Sequence, residues 1–159
     1  MITLGTALAF AGAAFSAGLA GVGSAKGLAI AGQAGAGVVS EGPDKFGNVL
    51  VLQALPGTQG IYGLLIAFII LLKIGAVGGD GAQELTTYQG LALFFAAFPM
   101  GLGGLLSAIA QGKVAASAVY LVAKRPEEFG KGITMTAMVE TYAVLALLIS
   151  FLMVYGISI

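Results

Sequence analysis

The stretch PDKFGNVLVLQALPGTQGIYGLLIAF (43–68) returns at 126–151 as PEEFGKGITMTAMVETYAVLALLISF. The prolines, the Phe-Gly pairs and the final phenylalanines coincide at an offset of 83 residues. This self-similarity predicts that the chain is a duplication of one structural unit. Upstream, SAKG (24–27) matches IAQG (109–112) at an offset of 85, which predicts a two-residue difference in length before the loop.

The composition around the repeat is that of a membrane protein. Hydrophobic residues make up 58% of the 159 residues, charged residues 9%, and the mean hydropathy is +1.02, whereas about a quarter of a soluble chain is charged. Basic and acidic residues balance at 7 each, which argues against nucleic acid as a partner. The chain has no Cys and no His, so disulfides, thiolate or imidazole metal ligands, and Cys or His nucleophiles are excluded.

Charged, Pro- and Gly-containing breaks divide the chain into four apolar segments, each longer than the roughly 20 residues that cross a bilayer. The segments cover residues 3–39, 46–78, 86–122 and 132–157. The predicted fold is an all-α membrane protein with four transmembrane helices, arranged as two duplicated hairpins. Because each repeat has two helices, the repeats run parallel and not inverted, and such units can extend around a ring. MITLGTALAF lacks a basic n-region, so no cleaved signal peptide is expected.

The predicted division has three parts. Residues 1–78 form the first hairpin, 79–85 an outer connecting loop, and 86–159 the second hairpin, which carries Glu140. Basic residues cluster at the first and third breaks, so the positive-inside rule predicts cytoplasmic hairpin loops and termini on the outer side. The chain is expected to be a multi-pass protein of the cell membrane.

Glu140 is the residue that the repeat singles out for function. In the second repeat it lies within a transmembrane segment, and Gly57 occupies the matching position in the first. A charged carboxylate at that depth is costly, so it is expected to be protonated, paired or bound to an ion. The duplication therefore predicts one ionisable site for four helices. If such units form a rotor, the ring moves half as many ions per turn as a ring of the same number of helices with a carboxylate in every hairpin. This arrangement suits pumping more than ATP synthesis.

Neutral polar residues are predicted at a similar depth, about 16 to 20 Å from the cytoplasmic loops. Thr58, Gln59 and Gln111 supply a hydroxyl and two amide carbonyls. Packing roles are an alternative for each residue taken singly. Together with a carboxylate, these hard oxygen donors favour Na⁺ over H⁺, although H⁺ stays an alternative.

Two neighbours complete the predicted site. Pro56 lacks an N–H and is expected to push Leu55 away from helical geometry, which would free a backbone carbonyl for the ion. Tyr62 lies one turn after Thr58 and is predicted to donate a hydrogen bond to Glu140.

Nine glycines in the first segment, and none between residues 133 and 155, indicate which helices pack closely. The first and third segments are predicted to form a tightly curved inner wall, with the second and fourth outside. Lys26 and Lys113 are expected to be structural, by snorkelling, pairing with acidic groups or meeting lipid phosphates.

Three motifs on the duplicated hairpin identify a family resemblance. LPGTQGIYG (55–63), SAIAQGKVAA (107–116) and MVETYA (138–143) resemble the proteolipid rotor-ring subunit of V-type ATPases, in its bacterial Na⁺-translocating form. The resemblance implies that Glu140 is the essential carboxylate and that Tyr62 is its hydrogen-bond partner. It implies as co-ligands of Na⁺ the Leu55 backbone carbonyl, Thr58, Gln59 and Gln111.

The resemblance also implies an assembly. Identical subunits would form a homo-oligomeric ring whose cytoplasmic loops attach to a central stalk, beside a stator subunit whose arginine displaces the ion. The chain itself would be no enzyme, because ATP is hydrolysed in other subunits, and it would need no organic cofactor. A four-helix exporter and a non-rotary channel or fusion proteolipid are the alternatives. The exporter is disfavoured because its cavity would need aromatic walls, whereas Trp is absent and the inner helices are Gly-rich.

Overall fold

The computed structural model describes residues 2–79 and 81–159, and every regular element in this part of the chain is a helix. Met1 and Asp80, which the predicted division places in the first hairpin and the connecting loop, lie outside the described residues. Within these described residues, four helical spans are long and apolar enough to cross a membrane, which agrees with the four predicted spans. They are Leu4–Glu41, Pro43–Lys73, Thr87–Lys124 and Pro126–Gly156, called here the first to fourth spans.

The first and third spans begin in the same way. Thr3 caps the first span because its side chain accepts from the Thr6 N–H at 3.1 Å, and Thr86 caps the third by accepting from the Gln89 N–H at 3.3 Å. These side chains satisfy backbone donors that a helix start leaves without partners. Thr86 and Gln89 complete a capping box, since the Gln89 side chain also accepts from the Thr86 N–H at 3.0 Å.

The two spans also end in the same way, and this corrects the upstream register. Gly42 (φ −144°, ψ 86°) and Arg125 (φ −141°, ψ 83°) follow the two spans, and a 3-10 turn starting with proline comes next in both repeats. Both spans contain 38 residues. The predicted two-residue difference is therefore wrong, and the offset is 83 throughout. The short match between SAKG and IAQG gave the wrong offset because small residues recur along the whole helix face.

The second span consists of α-helices Phe46–Ala54 and Thr58–Lys73, joined by a 3-10 turn over Leu55–Gly57. Leu55 keeps right-handed helical dihedrals (φ −54°, ψ −46°), so the predicted departure from helical geometry is wrong. The tighter turn accommodates Pro56. Because proline has no N–H, the carbonyl of Leu52, four residues earlier, loses the donor that it would have in a regular α-helix.

The helix of the second span stops at Lys73, earlier than the apolar segment ending at residue 78. Gly75 and Gly78 have φ of 74° and 75°, a left-handed conformation that glycine adopts without steric cost. The link to the third span is fastened to the start of the first: the Thr6 hydroxyl donates to the Gln83 carbonyl at 2.7 Å, and the Thr3 hydroxyl to that of Leu85 at 2.7 Å.

The third span comprises α-helices Thr87–Ala96 and Phe98–Lys124, and the fourth continues from its 3-10 turn, Pro126–Glu128, into the α-helix Phe129–Gly156. Glycines bring the first and third spans into close contact. A Cβ added to Gly27 would clash with the Ala108 carbonyl oxygen, and one added to Gly112 would lie 2.5 Å from the Gly27 Cα. The second span packs against the first, and the fourth against the third. Their inner and outer places in a ring stay predictions.

Candidate ion-binding site

The carboxylate of Glu140 projects from the middle of the fourth span and is half-buried. The Tyr62 hydroxyl, from the second span, donates to Glu140 Oε1 at 2.5 Å. Gln111 Nε2, from the third span, lies 3.5 Å from Glu140 Oε2 and donates to it. Three of the four spans thus converge on this carboxylate, and each of its oxygens has a donor.

Two fully buried amides lie beside it. Gln59 and Gln111 are both 0% exposed. Gln59 Nε2 donates to Gln111 Oε1 at 2.6 Å, while Gln111 Nε2 also donates to the Thr136 carbonyl at 3.2 Å. An amide oxygen has two lone pairs, so Gln111 Oε1 can accept this bond and still offer a lone pair to a cation.

Thr58 adds a hydroxyl at the same level. Its Oγ1 lies 3.1 Å from the Leu55 carbonyl oxygen and 3.3 Å from Gln59 Oε1. A hydroxyl has one proton and two lone pairs, so it donates to one of these two oxygens at a time. Both oxygens are acceptors and give no proton to the hydroxyl, so its lone pairs stay available for a cation. The structure thus brings together all the residues that the sequence proposed for the site. They are Leu55, Thr58, Gln59, Tyr62, Gln111 and Glu140.

Two further residues of the network were missed by the sequence analysis. Ser107 is 7% exposed, donates to the Val139 carbonyl at 3.2 Å and accepts weakly from Gln59 Nε2 at 3.5 Å. Thr136 is 0% exposed and supplies the carbonyl that holds Gln111. Each lies one helical turn before a site residue, Ser107 before Gln111 and Thr136 before Glu140, and the i, i+4 spacing is the signal that would have found them.

The network is complete in its hydrogen bonds. Within the described part of the chain, no buried side-chain nitrogen or oxygen lacks a partner, and polar atoms that are buried and satisfied hold a fixed arrangement. The described residues also contain no group of three or more His, Cys, Asp or Glu side chains that could hold a metal ion. One carboxylate among neutral oxygens is a donor set for a small monovalent cation.

The matching position in the first repeat has no side chain. Gly57 is half-buried, and a Cβ placed on it would have the two Leu28 methyl groups as its nearest neighbours, at 3.7 and 3.9 Å. Leu28 corresponds to Gln111 at the offset of 83, so the first repeat has neither the carboxylate nor this amide. The first repeat therefore lacks two of the side chains that form the site in the second.

Comparisons with known proteins agree with the duplicated architecture. The sequence profile of the ATP synthase C-subunit family matches the chain twice, over residues 11–70 and 94–153, again 83 residues apart. A relative named V-type sodium ATPase subunit K, from Enterococcus hirae, is 48% identical over 84% of this chain and 81% of its own length. Another, named A-type ATP synthase subunit K, from Methanocaldococcus jannaschii, is 42% identical over 92% of this chain and 61% of its own length.

Proposed function

The chain belongs to the ATP synthase C-subunit family, and from this premise we propose that it is the rotor-ring subunit of a V-type ATPase that binds Na⁺ at Glu140. With four membrane-crossing spans it is a multi-pass membrane protein. The observation that carries the proposal is the meeting of Glu140, Tyr62 and Gln111 within one hydrogen-bonded network between the spans. The family match does not favour the exporter or channel alternatives.

The donor set supports Na⁺ as the transported ion. The Leu55 carbonyl, Thr58 Oγ1, Gln59 Oε1, Gln111 Oε1 and the Glu140 carboxylate offer neutral and anionic oxygens, and hard oxygens replace the water around an alkali cation. Glu140 would neutralise the ion, so the loaded site carries no net charge while it faces lipid. Tyr62 would hold the carboxylate in position by donating a hydrogen bond to it.

The two hairpins have distinct roles in this proposal. The first, 1–78, supplies neutral ligands from its second helix, and the second, 86–159, supplies the carboxylate and one amide; residues 79–85 connect them. Identical copies form a closed ring in the cell membrane, with hairpin loops on the cytoplasmic side against a central stalk and both termini outside. A stator arginine displaces Na⁺ from Glu140 as each copy passes, and ATP is hydrolysed in other subunits.

Transport by the assembled complex tests the role of Glu140. Glu140→Gln keeps the side-chain shape but removes the negative charge, so ATP-driven ²²Na⁺ uptake into vesicles that contain the complex is expected to stop. Glu84→Gln, in the exposed connection between the two hairpins, is the matched control and is expected to transport like the parent. Undiminished uptake by Glu140→Gln would refute the proposal.

The identity of the ion needs a second experiment. A carbodiimide modifies the protonated carboxyl of Glu140, and Na⁺ bound to the carboxylate is expected to protect it at constant pH. Protection is measured by mass spectrometry of the purified ring in NaCl and in the same concentration of choline chloride. Equal labelling in both salts would identify H⁺ and not Na⁺ as the transported ion.

A further inference from the structure

The two repeats expose corresponding faces very differently. Six residues of the second span, on the side where Gln59 and Tyr62 meet the second hairpin, are buried or half-buried. Their equivalents 83 residues later, on the fourth span, are all exposed. The covered residues are Leu55, Thr58, Gln59, Tyr62, Ile66 and Ile69, and the exposed equivalents are Met138, Thr141, Tyr142, Leu145, Ile149 and Leu152.

The exposed face has the same local geometry as the covered one. The Thr141 hydroxyl donates to the Met138 carbonyl at 2.8 Å, as the Thr58 hydroxyl does to that of Leu55 at 3.1 Å. Tyr142 is 72% exposed, although its equivalent Gln59 is 0% exposed. The internal contact between the hairpins is therefore a template for what covers this face: the first hairpin of another copy, in the same register.

The receiving surface on that other copy follows from the same offset. Gln59 lies against Gln111 and Ser107 within the chain, and these correspond to Leu28 and Ser24. Beside them Gly57 takes the place of the carboxylate, and a Cβ added to it would have only the Leu28 methyl groups within 4 Å. Tyrosine is larger than glutamine, so Tyr142 fills volume that a glutamate at position 57 would take. Ser24 is 5% exposed and accepts the Gly60 N–H at 2.8 Å, so the half-buried Leu28 and Gly57 are the part of this surface left for a neighbour.

We propose that Tyr142 of each copy packs against Leu28 of the next copy of this chain, in the hollow left by the missing side chain of Gly57. The inference rests on the proposed ring and specifies the contact that closes it. The contact between copies thus differs from the internal one: it is aromatic and apolar, and it binds no ion. The loss of the carboxylate at position 57 and the tyrosine at 142 belong to one packing arrangement.

Cross-linking tests the contact, because the native chain has no cysteine. Leu28→Cys combined with Tyr142→Cys, treated in the membrane with a short bis-maleimide, is expected to give a ladder of covalent oligomers on a denaturing gel. The matched control is Gln111→Cys with Gln59→Cys, the same pair of positions inside one chain. It is expected to cross-link within the chain and to give no covalent oligomers on the gel. Each single variant shows the background from random collisions.

The outcomes separate the contact from the ring itself. Native mass spectrometry of the same double variant reports whether a ring is present. Cross-linked monomers or uncross-linked chains within a ring of parental mass would show that lipid or another surface covers Tyr142, and would overturn the inference alone. Absence of any ring for the parent chain would instead refute the rotor-ring proposal.

A size swap provides a test that does not depend on a reagent. Gly57→Leu is expected to lower the temperature at which the ring dissociates in detergent, because the leucine fills the hollow, and Tyr142→Ala in the same chain is expected to restore part of the loss. Tyr155→Ala is the control: Tyr155 is 77% exposed, but its equivalent Leu72 is also exposed, at 45%, so no neighbour is expected there. Equal effects of Tyr142→Ala and Tyr155→Ala, with no rescue, would contradict the contact.

Discussion

At the residue scale, Glu140 has more partners than its sequence context indicated. The sequence predicted the hydrogen bond from Tyr62, which the structure contains, and the structure adds a second one from Gln111 to the other carboxylate oxygen. It also adds Ser107 and Thr136, which hold the amides. Depth along a helix could be counted from the sequence, but the side from which each helix approaches its neighbour depends on packing.

Tyr62→Phe removes the donor to Glu140 Oε1 and leaves the aromatic ring in place. A hydrogen bond to a charged group contributes about 1.5 to 3 kcal/mol, so Na⁺ affinity is expected to fall by roughly ten- to a hundredfold. The measurement is the Na⁺ concentration that gives half-maximal protection from the carbodiimide. Tyr155→Phe, at an exposed position near the C-terminal end of the fourth span, is the control, and an unchanged Na⁺ requirement in Tyr62→Phe would show that the tyrosine is only packing.

Ser107→Ala tests the support behind the two amides. Gln59 Nε2 loses a weak acceptor and the Val139 carbonyl loses a donor, so a smaller weakening is expected, by a factor of about two to ten at a cost of roughly 0.5 to 1.5 kcal/mol. The same protection assay measures it, with circular dichroism to verify the helix content. Ser117→Ala is the control, because Ser117 is exposed and bonds within its own helix, to the Lys113 carbonyl. Equal Na⁺ requirements for the two variants would rule out a positioning role for Ser107.

At the element scale, the number of spans and the hairpin order were predictable because length, hydropathy and turn residues act locally. The backbone conformations at Leu55 and Gly75 were not predictable from the sequence. Proline lowers the preference for helical geometry before it, yet a 3-10 turn keeps Leu55 helical. Likewise, residues 74–78 are apolar enough to continue the span, but Gly75 and Gly78 turn the chain with positive φ. Such choices depend on tertiary contacts that hydropathy does not report.

The contact between the first and third spans gives a prediction at this scale. Gly27→Ala places a methyl group in collision with the Ala108 carbonyl oxygen and must push the spans apart. A lower melting temperature of the detergent-solubilised protein is expected. Gly18→Ala is the matched control on the same helix, since a Cβ there meets nothing within 4 Å; alanine is favoured over glycine in a helix by about 0.5–1 kcal/mol. Similar melting temperatures for both variants would mean that the close approach contributes little.

At the scale of the whole molecule, the duplication explains why one site serves four spans. The caps, loops and span lengths repeat at 83 residues, so the two hairpins share one backbone plan. Local breaks differ, since the second span has a 3-10 turn at Leu55–Gly57 and the fourth continues as one α-helix. At the site the side chains differ: Glu140 and Gln111 in one repeat, Gly57 and Leu28 in the other. The register could be taken from the loops but not from the Gly- and Ala-rich helices, where small residues match at several offsets.

Counting bound ions on the purified ring tests the central claim most directly. Equilibrium binding of ²²Na⁺ at constant pH is expected to saturate at one ion per chain, because Gly57 leaves the first repeat without a carboxylate. Binding is expected to disappear in Glu140→Gln and to persist in Glu84→Gln. A ring that binds no Na⁺, or that binds it equally well after Glu140→Gln, would contradict the assignment of Glu140 as the residue that carries the ion.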